Sequence, residues 1–417
     1  MNESRNDNEG ARLRRQLGLT VNLAPCAAEL EVPSVPNPYL VTCLEVEEND
    51  NLLKLAKASF GKISRGANTS NWNPTSIQLQ SWAILKSKNS KTKTKRENSL
   101  LNLIAIATTG SGKTLAYTVP MVDSCMLNKG KKSRRYVHGL VLVPTRELAL
   151  QVSKVLKIVS KAANRLSGKT DKIVALAVYG GTRMKMEEQI DSLSKNSQYI
   201  LAATPLRLID LLGIGCKDGS GNESVPNEKI QRLFETTQYL VIDEADQMAL
   251  KSDMSQQVDL IIKFLKDRSI HLEKQCLFSA TLPRRAISKC NEWIDLPSVT
   301  VKVDTVSVGS KIIDEKVDTG KAVDRRGPLD YSTVPAHITQ TLHVCSNHKK
   351  PKKLMTTINK IRKLEKEGGN RRRKGLLIIF FGRIKTLQCE FTHDSTSNIF
   401  LILKSIVLYS IIRQYFI

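Results

Sequence analysis

Short apolar runs alternate with amphipathic and polar stretches through the middle of the chain. Each run is almost continuously aliphatic, which is typical of a strand buried on both faces of a parallel sheet. A polar or glycine-containing motif follows each run, and ligands bind at this carboxyl end of the strands in such sheets. We therefore predict one α/β domain from about Phe60 to Val303. The runs are residues 100–107, 139–144, 173–181, 199–205, 239–246 and 276–281.

A second set of patterns follows a break in the periodicity. Residues 304–335 lose the apolar pattern and gain charge, Gly and Pro, so we predict a linker. After it, residues 337–345 are predicted to form a strand, residues 352–368 a basic amphipathic helix and residues 375–383 another buried strand. We expect a second, partial α/β domain over residues 336–388.

The two ends of the chain carry no motif that we can interpret. Residues 1–58 are predicted to be an extension, and their start lacks the apolar core of a secretory signal. Residues 389–417 are rich in Ile, Leu, Phe and Tyr but follow neither strand nor helix periodicity. Lys404 and Arg413 interrupt this tail, and charges near the centre of a bilayer cost about 2.5 to 3.5 kcal/mol each. We therefore expect no membrane partner, with a tail anchor as the open alternative.

The first strand-end motif, ATTGSGKT at residues 107–114, has the composition of a phosphate-binding loop. Glycines allow such a loop to curl until its N–H groups point at phosphate oxygens, beside the positive end of the next helix. Lys113 can then reach the β and γ phosphates, and the Thr114 hydroxyl is placed to bind magnesium. The candidate ATP-binding residues of the loop are Thr109, Gly110, Ser111, Gly112, Lys113 and Thr114.

The second motif, DEAD at residues 243–246, ends another apolar run. Asp243 is predicted to hold the magnesium together with Thr114, and Glu244 is the candidate base for the attacking water. Four such residues alone are also typical of a solvated helix start, where carboxylates favour the N-terminal dipole. The two motifs together predict a Mg-ATP site that hydrolyses its nucleotide, with Lys113, Asp243 and Glu244 as catalytic residues.

The charge balance points to a second class of ligand. Lys and Arg number 64 against 40 Asp and Glu, a net charge of +24, which predicts a polyanionic partner. Basic runs lie at residues 86–96, 129–135 and 370–374, and each one alone is more simply a solvated loop or an import signal. Eight cysteines without a C-x-x-C pair predict reduced thiols, and hence a nuclear or cytoplasmic protein.

Several ordered motifs over residues 59–388 resemble those of DEAD-box RNA helicases of superfamily 2. The resemblance implies two RecA-like P-loop domains, with ATP and RNA bound across the cleft between them. It also implies that Gln78 of a Pro-Thr-x-Ile-Gln element recognises adenine and that the upstream Phe60 packs on the base. An amide supplies both the donor and the acceptor that the adenine edge requires. Alone, this stretch is also typical of a helix start capped by Thr75.

Further matches to the family follow other predicted strands. PTRELA at residues 144–149, a glycine doublet and TPLR at residues 204–207 resemble its RNA-binding motifs. The alternative for Arg146 is an internal salt bridge with a nearby carboxylate. The resemblance assigns RNA binding to Pro144, Thr145, Arg146, Gly180, Gly181, Thr204, Pro205 and Arg207. It assigns coupling to domain closure to Asp246, Ser279 and Thr281.

The chain departs from the family pattern at three places. Thr108 stands where the family usually has Gln, and Leu206 stands where Gly is usual, which alters the expected grip on phosphate or RNA. After Gln388 the sequence continues without the family's next two motifs, which supply an Asp and a pair of arginines. An arginine that reaches the γ phosphate contributes on the order of 10³ to 10⁵ in rate. We hypothesise a mis-joined reading frame that begins near Cys389, which sequencing of the transcript tests.

Three functions compete on these observations. The leading hypothesis is an ATP-dependent RNA helicase or RNP remodeller that couples Mg-ATP hydrolysis to RNA binding and local unwinding. Its candidate partners are RNA and ribonucleoprotein or ribosome-assembly proteins, and its expected location is the nucleus, including the nucleolus, or the cytoplasm. The alternative is an ATP- and RNA-binding module with little turnover, because the arginine pair is missing. A P-loop enzyme acting on DNA fits the combined motifs less well.

Overall fold

The computed structural model divides the chain into two compact units, Met1–Ile338 and Thr339–Ile417. The described residues are 14–23, 51–63, 73–85, 101–127, 135–168, 172–181, 185–193, 197–215, 227–303, 352–353, 355–357, 359–360, 378–381, 400–403 and 407–408.

One sheet of eight strands runs through the described part of the first unit. Its strands are β1 Leu19–Leu23, β2 Asn102–Ile106, β3 Tyr136–Leu142, β4 Ile173–Val178, β5 Gln198–Ala203, β6 Tyr239–Asp243, β7 Lys274–Ser279 and β8 Ser298–Val303. Their order across the sheet is β1-β8-β2-β7-β6-β3-β5-β4. Neighbouring strands are parallel except β1 and β8, which are antiparallel. Each of the six predicted runs overlaps one of these strands, so the predicted α/β fold with a parallel sheet is confirmed.

Helices cover both faces of this sheet. Alternate side chains of β2 show why: Leu103 and Ala105 belong to one buried cluster, whereas Ile104 and Ile106 belong to the other. Across the described residues, no helix has the length and apolar composition required to span a bilayer. The helices are α1 Asn51–Ile63, α2 Ser76–Leu85, α3 Lys113–Leu127, α4 Arg146–Ser167, α5 Met186–Ser192, α6 Pro205–Leu212, α7 Glu228–Gln231, α8 Ala245–Leu250, α9 Ser252–Asp267 and α10 Arg284–Glu292.

Helix α4 illustrates how sequence pattern and packing agree. The Thr145 side chain accepts a hydrogen bond from the Leu148 N–H at its start, and Gly168 ends it in the left-handed conformation. Leu156 and Val159 are fully buried on the side that faces the core. Burial of each such side chain contributes roughly 1.5–3 kcal/mol, which holds the helix against the sheet.

The strand order separates the predicted site residues into two groups along one edge. Strands β2, β7 and β6 are consecutive in the sheet, and the predicted nucleotide and coupling motifs follow them. Strands β3, β5 and β4 are the next three, and the predicted RNA motifs follow them. Because parallel strands end at the same edge, both groups lie along the carboxyl edge of the sheet.

The apolar pattern did not predict two strands at the opposite side of the sheet. β8 pairs with β2, and β1 adds an antiparallel strand outside it, with Val21 opposite Val301. β1 lies in the segment that the sequence pattern left as an uninterpreted extension. A strand of five residues with alternating side chains on an exposed edge gives a weak local signal, which is why it was missed.

The second unit contains short described elements. Residues 352–353, 355–357 and 359–360 are helical, in line with the helix predicted from residue 352. β9 Ile378–Phe381 lies in the predicted strand at residues 375–383. β10 Phe400–Leu403 runs parallel to β9, and β11 Val407–Leu408 pairs with β10 antiparallel, so the apolar tail contributes strands that its pattern did not predict. The strand predicted at residues 337–345 lies outside the described residues.

The first unit also buries an imidazole in its core. His138 is fully buried at a register shift between β3 and β5, with the rings of Tyr136 and Tyr239 beside it. Neither ring nitrogen has a hydrogen-bond partner among the described residues, and burial lowers the pKa of His138 from 6.5 to about 4. A neutral ring is therefore stable there, whereas a protonated one is not.

We expect the stability of the first unit to fall as the pH drops below about 6.5. The unfolded chain binds a proton at His138 near its ordinary pKa, but the folded chain does so only near pH 4. Above pH 6.5, His138 is neutral in both states and costs no stability. Between pH 6.5 and pH 4, its protonation in the unfolded chain lowers the free energy of unfolding by about 3 kcal/mol in all. Urea unfolding of the wild type and of His138→Phe between pH 4 and 8 measures the difference. A His271→Gln control at an exposed position should retain the wild-type pH dependence, and equal slopes for wild type and His138→Phe would contradict the assignment.

Candidate active site

The glycine loop after β2 has the conformation of an anion cradle. Gly110 has a φ of +81° and Gly112 a φ of +91°, both in the region that favours glycine. The Ser111 hydroxyl is shielded from solvent and has no hydrogen-bond partner in the part of the chain that the structure describes, although a buried hydroxyl normally has one. An oxygen-rich ligand in the loop would satisfy it.

Lys113 is the first residue of α3 and points back into the loop. Its Nζ donates to the carbonyl oxygens of Ala107 at 2.6 Å and Thr108 at 3.0 Å. Burial lowers the pKa of the Lys113 ammonium, and the nearby carboxylates of Asp243 and Glu244 oppose that shift. The loop therefore holds a partly desolvated cation beside the acidic motif, as a phosphate site requires.

The Gln78 side chain ties α2 to the same loop. Its Oε1 accepts from the Thr75 N–H at 3.0 Å, and its Nε2 donates to the Gly112 carbonyl oxygen at 3.1 Å. Gly112 also leaves room for this contact, because a Cβ there would lie 2.3 Å from the Gln78 Nε2. Oε1 can accept one further hydrogen bond and Nε2 can donate one, which is what adenine recognition requires. Recognition of adenine by Gln78 remains a prediction.

Phe60 lies near the end of α1. It is half-buried and packs against the cluster that contains residues of α2, α3 and α4. Its contact with a nucleotide base stays a prediction.

Asp243 ends β6 and is 4% exposed. Its Oδ1 accepts from the Glu244 N–H at 3.0 Å, and its Oδ2 accepts from the Tyr117 hydroxyl at 2.8 Å. Burial raises the pKa of Asp243, while these two hydrogen bonds and Lys113 oppose the rise. Thr114 lies one turn before Tyr117 on α3, so the two side chains share the face of the helix from which the Tyr117 hydroxyl reaches Asp243.

These oxygen donors fit a magnesium ion. Mg²⁺ prefers hard oxygen ligands and is held in NTPases by one or two protein oxygens together with substrate phosphates. Thr114 and Asp243 supply such oxygens beside the glycine loop. Binding of Mg²⁺ by these two residues stays a prediction.

Glu244 follows Asp243 in the left-handed region, with a φ of +52°. Such a backbone costs of order 1 kcal/mol or more in a residue other than glycine and is concentrated at functional sites. Burial first, and then Asp243 and Asp246, raise the pKa of Glu244. A carboxylate with a raised pKa is a better proton acceptor, as the predicted base requires. Its Oε2 accepts a hydrogen bond from Gln247 Nε2.

The predicted coupling residues contact one another. The Thr281 hydroxyl donates to Asp246 Oδ2 at 2.6 Å, and the Ser279 hydroxyl donates to the Thr281 carbonyl oxygen. The end of β7 is thereby linked to the helix that begins just after Glu244.

Two of the predicted RNA motifs meet at the next strand ends. Arg146 and the glycine doublet are adjacent, since a Cβ on Gly181, whose φ is +124°, would lie 2.9 Å from Arg146 Nη1. Arg146 also pairs with Glu147 at 3.2 Å, and both side chains are exposed. The salt bridge considered as the alternative for Arg146 is therefore present, but it lies at the surface, where such pairs contribute about 0–1 kcal/mol and exchange readily.

The third RNA motif lies next to the first. Thr204 precedes α6, and Pro205 is its first residue. One shallow cavity of about 560 Å³ lies between these motifs and the start of α9, and it is lined by Pro144, Thr204, Pro205 and Leu206. Leu206 is 54% exposed. Arg207 is half-buried on α6. A second cavity, of about 390 Å³, lies at the amino ends of β2, β6 and β7 and holds none of the predicted site residues.

Comparison with known proteins decides the family. A sequence model of the DEAD/DEAH box helicase family matches residues 75–289, more than half of the chain. The chain belongs to this family. The matched span includes the glycine loop, the DEAD motif and all the predicted RNA and coupling residues.

Curated relatives of the family match at moderate identity. The probable ATP-dependent RNA helicase ddx5 of Dictyostelium discoideum is 27% identical over 86% of this chain and 42% of its own length. The pre-mRNA-processing ATP-dependent RNA helicase PRP5 of Debaryomyces hansenii is 33% identical over 52% of this chain and 21% of its own length. The chain thus spans less than half of the length of these relatives.

A solved structure supports the fold. The structure of Mss116p bound to ssRNA and AMP-PNP aligns with a TM-score of 0.56 and 22% identity, over 82% of this chain and 56% of that chain. The RecA-like fold and the DEAD-box family predicted from the motifs are therefore confirmed. The individual roles of the site residues stay predictions.

Tyr117 is a residue of this DEAD-box helicase site that sequence reasoning missed. It lies one turn after Thr114 on α3, so the two side chains share a face of the helix. That spacing is the one local signal that could have drawn attention to it. Its ring packs on Phe278, with 5.0 Å between centroids, which fixes the hydroxyl toward Asp243.

Tyr117→Phe is expected to reduce the ATPase kcat by about tenfold, the size of one hydrogen bond to a charged group. The Tyr117 hydrogen bond lowers the Asp243 pKa, so its removal raises that pKa further. In its predicted role as a magnesium ligand Asp243 acts in the ionised form, so the acidic limb of the rate profile should move to higher pH. Steady-state rates from pH 5 to 9 test this, beside Tyr199→Phe as a buried control in β5. A reduced rate with an unmoved acidic limb would indicate a packing role only.

Proposed function

We propose that this chain acts as an ATP-dependent RNA helicase or RNP remodeller, which couples hydrolysis of Mg-ATP to RNA binding and local duplex unwinding. The observation that carries the proposal is the carboxyl edge of the sheet. There, a phosphate cradle and an acidic pair follow β2 and β6, and the residues assigned to RNA follow the adjoining strands β3, β5 and β4.

In the proposed reaction, water attacks the γ phosphoryl group, a bond from the water oxygen to phosphorus forms, and the bond to the ADP oxygen breaks. Glu244 accepts the proton of the attacking water, while the glycine loop and Lys113 hold the phosphates in place. Thr114 and Asp243 would hold Mg²⁺, which when bound would neutralise part of the phosphate charge. Gln78 and Phe60 are proposed to contact the base.

Coupling between the two ligands is proposed to run along the same edge. Asp246 lies two residues from Glu244 and accepts a hydrogen bond from the Thr281 hydroxyl. A displacement at the end of β6 would therefore displace the end of β7, and the reverse. Arg146 and Arg207, with the backbone at Gly180 and Gly181, are proposed to hold RNA phosphates, which carry no sequence information.

The experiment is steady-state ATP hydrolysis with and without single-stranded RNA, followed by unwinding of a short RNA duplex. RNA-stimulated hydrolysis and ATP-dependent unwinding are the expected results. Equal stimulation by DNA of the same length would favour the DNA-acting alternative. Absence of nucleotide binding altogether would sink the proposal.

A second candidate is an ATP- and RNA-binding module with little turnover. The observation that favours it is the composition of residues 389–417, which contain a single arginine, Arg413, where the family resemblance leads us to expect a pair. Tight ATP and RNA binding with hydrolysis no faster than that of Glu244→Gln would support this candidate over the helicase.

We propose the following domain limits for this function. Residues 59–303 form the ATP-binding domain, residues 304–335 a linker and residues 336–388 a partial C-terminal domain. The proposed partners are RNA and ribonucleoprotein or ribosome-assembly proteins, and the proposed location is the nucleus or the cytoplasm. One relative is described as pre-mRNA-processing, which is in keeping with this proposal.

A further inference from the structure

We propose that the outward face of α4 is an accessory binding surface for an RNA phosphate backbone, separate from the strand-end motifs. The surface, called the basic helix face, consists of Lys154, Lys157, Lys161 and Arg165. It rests on the proposed function, since it extends the path of the RNA that the strand-end residues are proposed to hold.

The spacing of these four residues places them on one side of the helix. They follow one another at intervals of three, four and four residues, which returns to the same face of an α-helix. All four are exposed, while Leu156 and Val159 on the opposite side are fully buried. With a rise of 1.5 Å per residue, the cations are about 4.5 to 6 Å apart along the axis over roughly 16 Å.

Neighbours in the described part of the chain do not neutralise the charges on this face. Within the described residues, none of the four makes an ion pair or a side-chain hydrogen bond. Glu147 is the acidic residue of α4, and it pairs with Arg146 at the start of the helix. Four like charges on one face repel one another, so an external anion would lower their energy.

A neighbouring helix extends the positive surface. α1 packs against α4 and contains no acidic residue. Its Lys57 and Lys62 are exposed, as is Lys54. The two helices together therefore present a region rich in cations on the flank of the first unit.

The position of the face favours RNA as the occupant. α4 begins at Arg146, directly after Thr145 at the carboxyl edge, so the cations continue from the strand-end RNA motifs down the helix. An interface with protein is usually enriched in aromatic and apolar anchors. On α4, Leu150 and Leu166 are the large apolar side chains that are exposed, and they lie near opposite ends of the helix. Regularly spaced cations with few anchors match a backbone of regularly spaced phosphates.

The test compares two double variants that remove the same charge. Lys157→Gln with Lys161→Gln alters the basic helix face, and Lys229→Gln with Lys263→Gln alters exposed lysines on α7 and α9. Binding to a single-stranded RNA of about 8 nucleotides and to one of about 25 is measured by fluorescence anisotropy over a range of salt concentrations.

For the long RNA, the slope of log K against log salt should become shallower by about 1.4 in the first variant, because each phosphate that a lysine neutralises contributes about 0.7. The slope for the short RNA, and ATP hydrolysis at saturating short RNA, should stay unchanged. The control variant should match the wild type with both RNAs. Lys157→Arg with Lys161→Arg should restore the wild-type slope, because the charge is retained.

An unchanged slope for the long RNA would overturn the inference and leave the proposed function intact, and an acidic protein segment would then be the better occupant. An equal change of slope in the control variant would also overturn it, since it would show a general charge effect. If the wild type binds neither RNA and its ATP hydrolysis is not stimulated, the proposed function itself fails.

Discussion

Glu244→Gln is expected to reduce the ATPase kcat by roughly 10² to 10⁴, the usual contribution of a general base. The amide is nearly the same size as the carboxylate but cannot accept a proton from water. Burial and the neighbouring Asp243 and Asp246 raise the Glu244 pKa, so the wild-type residue is tuned for that step. Binding of ATP and RNA should survive, since Lys113, Thr114 and Asp243 keep their contacts.

Steady-state hydrolysis with saturating RNA and equilibrium binding of a fluorescent ATP analogue measure the two effects separately. The matched control is Glu273→Gln, which makes the same chemical change at an exposed position outside the site. The control should hydrolyse ATP at the wild-type rate. If Glu244→Gln retained more than about a tenth of the wild-type kcat, Glu244 would not be the base.

Gly112→Ala is expected to weaken nucleotide binding by roughly 10²-fold, the combined cost of the backbone conformation and of one lost hydrogen bond. The added Cβ would lie 2.3 Å from Gln78 Nε2 and 3.3 Å from Thr75 Oγ1, at a position that also has a φ of +91°. The Gln78 amide would have to move, and its hydrogen bond to the Gly112 carbonyl oxygen would break. The phosphate cradle and the proposed adenine site would thus be disrupted together.

Gly110→Ala is the matched control for this effect. Gly110 has a similar φ of +81°, but a Cβ there meets no heavy atom within 4 Å. Only the backbone penalty of about 1–2 kcal/mol should apply, which weakens ATP binding by about tenfold. Calorimetric titration with ATP, with thermal unfolding to verify the fold, distinguishes the two variants. Equal weakening in the two variants would show that backbone conformation, and not the approach of Gln78, sets the requirement at Gly112.

Much of the first unit could be predicted from local patterns. Strands such as β2 and β6 are buried on both faces and are therefore almost wholly aliphatic, which is visible in any short window. The glycine loop and the DEAD motif could be predicted for a related reason. Their chemistry depends on residue types that are adjacent in sequence, because one curled loop or one strand end supplies them.

Contacts between distant segments could not be predicted in this way. The hydroxyl of Tyr117 meets a carboxylate 126 residues later, and Gln78 meets a carbonyl 34 residues later. No periodicity links such pairs, since only the packing of α2, α3 and β6 brings them together. The same holds for β1, whose partner Val299–Val303 lies on the far side of the domain in sequence.

The sequence by itself determined the family, the parallel α/β class and the residue types of the nucleotide site, because each of these is written in short contiguous segments. The tertiary structure alone decided the strand order β2-β7-β6-β3-β5-β4, which puts the nucleotide motifs on three adjacent strands and the RNA motifs on the next three. Strand order depends on which buried faces fit against which helices, and many orders are compatible with the same set of apolar strands.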